Sequence, residues 1–410
     1  MAQVWITGIG IVSPIGTGRR EFWENALRGA SGVRALDFEG AEGLPSRVAG
    51  VVPGFSPESL RPEIKWKRLS RLTQFALAAA LLARDDAGLC GDDVSPERSG
   101  VAVGVGMVGI DMIEDTIETY RTHGPARVKP YSAPGSYAGS AAGNISCELR
   151  LQGESITIST GCSAGTNAIG YAFRSIRAGD HDLMLAGGAE ACLTPSTLAS
   201  LGNSGALSRC NRDPSAASRP FDRRRDGYVL GEGAAILVLE SEEHARHRGA
   251  PAIAEITGYG STSDAYNMHA VEPEGRQADR AIAQAFRGSQ LGPSDVGYVA
   301  AHGSSSVASD RRETRVLHRV LGSDAERTSI SSIKSMIGHP LGASGGFQTA
   351  VCAMALRTGQ IPPTINYEVP DPECDLDYVP NVAREKRVRA TFNLALGMGG
   401  NNAAIALKAV

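Results

Sequence analysis

Short apolar runs alternate with longer helix-periodic segments along almost the whole chain, and this alternation constrains the fold more than any other feature. Strands are predicted at 4–12, 99–106, 155–159 and 183–189, and helices at 19–32, 71–89, 136–151 and 164–179. After the stretch 233–251 a second series begins, with strands at 252–262, 296–304, 328–334, 390–397 and 402–409 and helices at 278–289, near 310–322 and at 343–360. Such alternation predicts an α/β protein made of crossover units on a largely parallel sheet. The two series suggest two similar halves, 1–250 and 251–410, although no residue-level repeat accompanies them.

The composition fits that reading. Aromatic residues make up only 5% of the chain while glycine reaches 49, which favours thin, closely packed layers and tight strand-to-helix turns. A net charge of -3 gives no global attraction to nucleic acid or to a charged membrane, so a charged partner must be met by a local patch. The seven cysteines are scattered without a C-x-x-C, as expected of free thiols in a reducing compartment rather than of disulfides or a zinc site. Residues 1–12 lack a basic leader and a cleavage pattern and read as a first strand. No apolar run approaches the roughly 18 to 20 residues that a membrane-spanning helix needs. A cytoplasmic protein without metal, nucleic acid or membrane partners is expected.

Parallel sheets bind ligands at the carboxyl ends of their strands, and the residues with chemical potential stand at such ends. In Ser159-Thr160-Gly161-Cys162-Ser163-Ala164-Gly165 a strand gives way to a helix, with two nucleophiles side by side. Gly161 to Gly165 is a literal G-x-S-x-G, but a thiol gains more than a hydroxyl from a helix N-terminus, so a lowered Cys162 pKa is expected. The plain alternative is a small buried residue, the role expected of Cys147, Cys192 and Cys352. His302 and His339 close two apolar runs of the second half, and Lys334 lies five residues before the second. Asp310 and Glu313 share one face of the intervening helix, where capping is the simpler explanation. The order Ser163, Asp310, His339 also permits a serine triad. Gly104 to Gly109 spells G-x-G-x-x-G but lacks the later strand ending in an acid, so a tight turn is preferred to a nucleotide site.

Seven stretches together carry a resemblance: "VWITGIGIVSPIG", "STGCSAGTNAIG", "ASRPFDRRRDGYVLGEGAA", "AAHGSSS" followed by Asp310 and Glu313, "SSIKSMIGHPLGASGG", "PDPECDLDYVPNVARE" and "GMGGNNAAI". In order and spacing, over nearly the full length, the chain resembles the elongating β-ketoacyl-acyl-carrier-protein synthases, including the ketosynthases of dissociated polyketide systems. The resemblance implies the thiolase fold, two similar halves in an α-β-α-β-α arrangement. It implies Cys162 as the acyl-accepting nucleophile and His302 and His339 as the pair that stabilises the enolate formed when malonyl carrier protein loses carbon dioxide. It also implies an oxyanion hole from the backbone N–H groups of Cys162 and Met398, an electrostatic role for Lys334 partnered by Glu313, and support from Asp310. Ser304 and Ser306 fall where relatives bind the phosphopantetheine arm, which arrives on the carrier, so no resident cofactor is expected.

Met398 and Leu396 stand where the family usually has phenylalanines, and methionine's flexibility implies a looser gate and a differently shaped acyl pocket. A polyketide or specialised fatty-acid substrate is therefore expected, with housekeeping elongation as the alternative. A non-catalytic chain-length partner is disfavoured because the nucleophile is present, and a serine hydrolase using Ser163 ranks last. Lys65, Lys67, Arg68 and Arg71, with Arg209 and Arg212, resemble the family's docking patch for the acidic carrier, against the plainer reading of a solvated face. The family also implies a two-fold dimer, with a second copy or with a chain-length-factor-like subunit.

Overall fold

The computed structural model describes residues 2–38 and 40–410. Ten strands form one continuous path: β1 (Val4–Ser13), β2 (Ser99–Val105), β3 (Ser155–Ile158), β4 (Leu183–Glu190), β5 (Gly233–Ser241), β6 (Ala254–Ser263), β7 (Val296–Ala300), β8 (Ser329–Ser331), β9 (Ala390–Leu396) and β10 (Asn401–Lys408). Their spatial order is β8-β7-β9-β10-β6-β1-β5-β4-β2-β3. Counted within each set of five, both halves have the order third, second, fourth, fifth, first, with the same directions. The halves join where Val4–Ile6 of β1 pairs antiparallel with Ala254–Ile256 of β6.

The expectation of a largely parallel sheet needs correction. Only β3-β2-β4 and β8-β7-β9 are parallel; the other pairs are antiparallel. Between β9 and β10 lie only Gly397–Gly400, far too short for a parallel crossover, so the chain must turn back on itself.

Six helices complete the layers: α1 (Arg71–Asp86), α2 (Ser140–Leu149), α3 (Ala164–Ala178), α4 (Arg276–Ser289), α5 (Val307–Leu321) and α6 (Ser344–Thr358). Helices α3 and α6 pack on each other between the two five-stranded halves, α1 and α2 cover one outer face, and α4 with α5 covers the other. The result is the α-β-α-β-α arrangement. Glycine makes it thin. A Cβ on Gly10 of β1 would sit 1.9 Å from the Ala79 carbonyl oxygen, so α1 lies directly on the strand backbone.

Two strands stop earlier than their patterns predict, and both ends shape the site. The run 296–304 leaves the ladder after Ala300 because the Glu313 carboxylate takes the N–H groups of His302 (2.6 Å) and Gly303 (2.7 Å). The run 328–334 stops at Ser331: the Ser332 hydroxyl donates to the Gly303 carbonyl (2.7 Å) and accepts from the Lys334 N–H (3.3 Å), and Lys334 begins a helical turn. The helix expected over 136–151 starts at Ser140, after a separate short helix at Ser132–Ser136.

Candidate active site

Cys162 lies in the tight turn Gly161–Ser163 between β3 and α3, buried, with Gly161 in the left-handed region at φ 59°. The backbone N–H groups of Met398 and of Cys162 itself, and the positive charge of Lys334, act on the sulfur. These favour a thiolate, yet burial outweighs them and pushes the thiol above its ordinary range. The expectation of a lowered pKa from the helix N-terminus is thereby reversed. Ser163 is not poised as a nucleophile. Its hydroxyl donates to the Thr160 carbonyl (2.9 Å) and accepts from Asn167 (3.3 Å), while Asp310 and His339 are engaged elsewhere, so no serine triad forms.

The two imidazoles meet edge to face, their centroids 5.3 Å apart and both rings buried. His339 is held through its backbone, its N–H donating to Val229 (2.6 Å) and its carbonyl accepting from Gly231 (3.0 Å), and Nδ1 lies 3.1 Å from the Ser344 hydroxyl. With that hydroxyl donating, the ring proton resides on Nε2. Burial, then the nearby Lys334 charge, holds both histidines well below their usual pKa, so both are neutral donors.

Lys334 and Glu313 act on each other by charge, as the resemblance implies, without a hydrogen bond between them. The buried Lys334 ammonium donates to the His302 carbonyl (2.6 Å) and to Gln348 Oε1 (3.3 Å), whereas the Glu313 carboxylate is taken by the two backbone amides of the His302 turn. Burial pushes Glu313 up and Lys334 down, each opposed by the other's charge. Asp310 does not cap its own helix. It accepts from the Phe221 N–H (2.9 Å), stands 3.3 Å from the buried Arg225 guanidinium, and is raised by burial to about 6.

Cys162, His302, His339, Ser304, Ser306, Leu396 and Met398 line one cavity of about 550 Å³ that opens to solvent. The Ser304 and Ser306 hydroxyls are 3.1 Å apart, and the Met398 side chain is 43% exposed at the mouth. Lys65, Lys67, Arg68, Arg209 and Arg212 are exposed and form no ion pair among the described residues. Arg71 departs from that patch: it grips the buried Glu232 carboxylate with two hydrogen bonds (2.6 and 2.8 Å) and stacks on Phe75.

Several residues of the site escaped the sequence reading. Gln348, a lone polar residue on the buried α6, ties three carbonyls and holds Lys334. Tyr228 packs edge-on against His339, 5.3 Å away. Glu190, at the end of β4, accepts from Gly106 (2.9 Å), Met107 (3.3 Å) and Gly342 (3.0 Å), and burial raises it to about 7. Its carboxylate occupies the amides that a phosphate would need at the Gly104–Gly109 turn, which is therefore structural. Cys147, expected to be buried, is exposed. Among the described residues no group of three or more His, Cys, Asp or Glu is arranged to hold a metal, and no helix is long and apolar enough to cross a membrane.

A buried thiol beside two backbone donors, facing two neutral imidazoles between paired α/β halves, defines a thiolase-fold condensing enzyme. Residues 1–245 match the family model for the beta-ketoacyl synthase N-terminal domain and residues 253–368 that for its C-terminal domain. The chain is 40% identical over 406 residues to a 3-oxoacyl-[acyl-carrier-protein] synthase 2 of Synechocystis sp., covering 99% of this chain and 98% of that one. It is 39% identical over 408 residues to the protein of the same name from Coxiella burnetii, covering 100% and 99%. Among solved structures it is similar to a type II PKS ketosynthase in complex with its acyl-carrier protein and bound to the hexaketide, at TM-score 0.93 and 36% identity with both chains fully covered. It is equally similar to the ishigamide ketosynthase/chain length factor, at TM-score 0.93 and 36% identity, covering 100% of this chain and 99% of that one. The chain belongs to the beta-ketoacyl synthase family. It is an acyltransferase-type condensing enzyme.

Proposed function

We propose that this protein extends acyl chains on acyl carrier protein by decarboxylative Claisen condensation, in polyketide or specialised fatty-acid synthesis. One observation carries the reading: the Cys162 thiol shares a single cavity with Met398 and with two buried, uncharged imidazoles.

Cys162 attacks the incoming acyl thioester, a new sulfur–carbonyl bond replaces the carrier's, and the carrier leaves as its free thiol, taking the proton. Malonyl carrier protein then loses carbon dioxide, and the electron pair of the broken carbon–carbon bond becomes an enolate. Its oxygen is received by the Nε2–H of His339 and by the ring N–H of His302, donors that serve without being charged themselves. The carbanion attacks the acyl carbonyl on Cys162, and the resulting oxyanion meets the N–H groups of Cys162 and Met398. Collapse expels the Cys162 thiolate, which regains a proton, and the 3-ketoacyl carrier protein departs. Lys334 lends positive charge to this space and Glu313 shapes the His302 turn.

The proposed reaction uses no resident cofactor. The phosphopantetheine arm enters with the carrier, along the Ser304 and Ser306 hydroxyls, and the carrier docks on Lys65, Lys67, Arg68, Arg209 and Arg212. The half-buried edge strand β3, with Ile156 and Ile158, suits a two-fold partner, either a second copy or a chain-length-factor-like subunit. Mass measured alone and with candidate subunits decides between them. The seven free thiols accord with work in the cytoplasm.

Leu396 and Met398 in the cavity wall favour a specialised substrate over housekeeping elongation. Mass spectrometry of carrier-bound products after incubation with candidate acyl carriers and malonyl carrier protein tests this. Unsaturated or polyketide starters extended by two carbons are expected to dominate. Preference for saturated medium chains would sink the specialised reading, and no extension on any carrier would sink the reaction itself.

A further inference from the structure

The Arg312 guanidinium is fully buried on α5, the helix behind the His302 turn. Among the described residues it has one partner, the Asp264 carboxylate at 2.9 Å, and Nε and Nη2 have none. A buried ion pair is weak support for stability in itself, so what this one fixes in place matters more.

Asp264 stands directly after β6, where the loop carrying His269, Ala270, Val271 and Pro273 along the cavity begins. Its N–H donates to the Gly400 carbonyl (2.8 Å), and its second carboxylate oxygen accepts from Asn402 Nδ2 (2.6 Å), which also donates to Gly400 (3.1 Å). The approach is so close that a Cβ on Gly400 would stand 2.7 Å from that of Asp264. Gly400 ends the short Gly397–Gly400 loop, whose Met398 N–H acts on Cys162. At the far end of the mouth loop the Glu272 carboxylate, which accepts from Gly275 (2.6 Å), also acts on Arg312.

We infer that Arg312 is a positioning residue: its buried pair with Asp264 holds the Met398 amide where the acyl oxyanion forms and anchors the loop lining the cavity mouth. The inference rests on the condensation reading above. It separates two half-reactions, because the Met398 amide serves acyl transfer whereas the imidazole pair serves decarboxylation; the Arg312 charge also reaches His302, but burial and Lys334 keep that ring neutral without it.

The test measures acylation of Cys162 by acyl carrier protein and carbon dioxide release from malonyl carrier protein separately, both at pH 8. Wild-type enzyme inactive in both assays would overturn the condensation reading, independently of Arg312. In Arg312→Met, acylation should fall about 100-fold while decarboxylation stays within about twofold, the size expected when a preorganised donor shifts by about 1 Å. Arg312→Lys, which keeps the charge but not the planar fork, should recover part of the loss. Equal losses in both assays, or none in either, would overturn the inference. Should Arg312→Met fail to fold, the double variant Arg312→Met/Asp264→Leu replaces the pair by apolar groups, a change proteins often tolerate, and must show the same split.

Discussion

Cys162 and the imidazole pair come from different turns, so single substitutions should separate their contributions. Cys162→Ala removes the acyl acceptor but leaves both imidazoles, and is expected to abolish condensation while malonyl carrier protein still loses carbon dioxide. His302→Ala or His339→Ala should lower carbon dioxide release by about 100- to 1000-fold, as expected for loss of an oxyanion donor. Following gas release and product mass on the same samples checks both. Because burial lifts the Cys162 thiol above an ordinary value near 8.5, its alkylation by iodoacetamide should still be accelerating with pH beyond about 9. A plateau below pH 8 would contradict the burial argument. These residues were legible because each stands at a small-residue turn after an apolar run. The direction of the thiol's shift was not, since it depends on how two sheets close over the turn. The partners of Lys334, Glu313 and Arg71 were hidden for the same reason: a charge in sequence does not reveal which buried carbonyl or amide it will meet.

Helices α3 and α6 carry the turns of Cys162 and His339 and touch at their first residues through glycine. A Cβ on Gly345 would lie 2.1 Å from the Thr166 nitrogen, and one on Gly165 would lie 2.8 Å from the Gly342 carbonyl oxygen. Gly345→Ala should therefore force the helices apart, costing about 3 kcal/mol as an overpacked core contact and lowering condensation activity with it. Thermal unfolding and turnover of the same variant measure the two effects, and an unchanged melting temperature would refute the contact argument. Nine of the ten ladder strands and all six layer helices could be read from periodicity, because strands and helices have periods that side-chain polarity records, whereas the strand Gly233–Ser241 and the helix Ile110–His123 were not read. Strand direction could not. The antiparallel pairs depend on which strands become neighbours, and hydrophobic runs buried on both faces look alike whichever way they run.

For the whole molecule, the junction between the halves and the approach of the carrier are each testable. Glu240, near the end of β5, is buried and accepts from Arg248 (2.6 and 2.8 Å), His244 (2.6 Å) and Thr7 of β1. Despite burial, these donors hold its carboxyl down at about 2. A carboxylate with a lowered folded pKa stabilises the fold above its unfolded pKa, so roughly 3 kcal/mol should be present above about pH 4.5 and vanish as pH falls towards 2. Glu240→Gln should flatten that dependence in urea unfolding measured between pH 6 and 3. Reversing charge at Lys67 and Arg68 should raise KM for carrier-bound substrates with little change in kcat, an effect that weakens in high salt. Reversing Arg71 should instead reduce stability, because it would leave Glu232 buried and unpaired.

Cys162 follows the third strand of its half, and Lys334 and His339 follow the third strand of theirs, so the two sides of the cavity hold equivalent places in the strand order with different groups. Neither half holds a complete set of reacting groups. A chain severed near Gly249, in the connection between β5 and β6, should yield two pieces that are each inert and regain turnover only by fragment complementation.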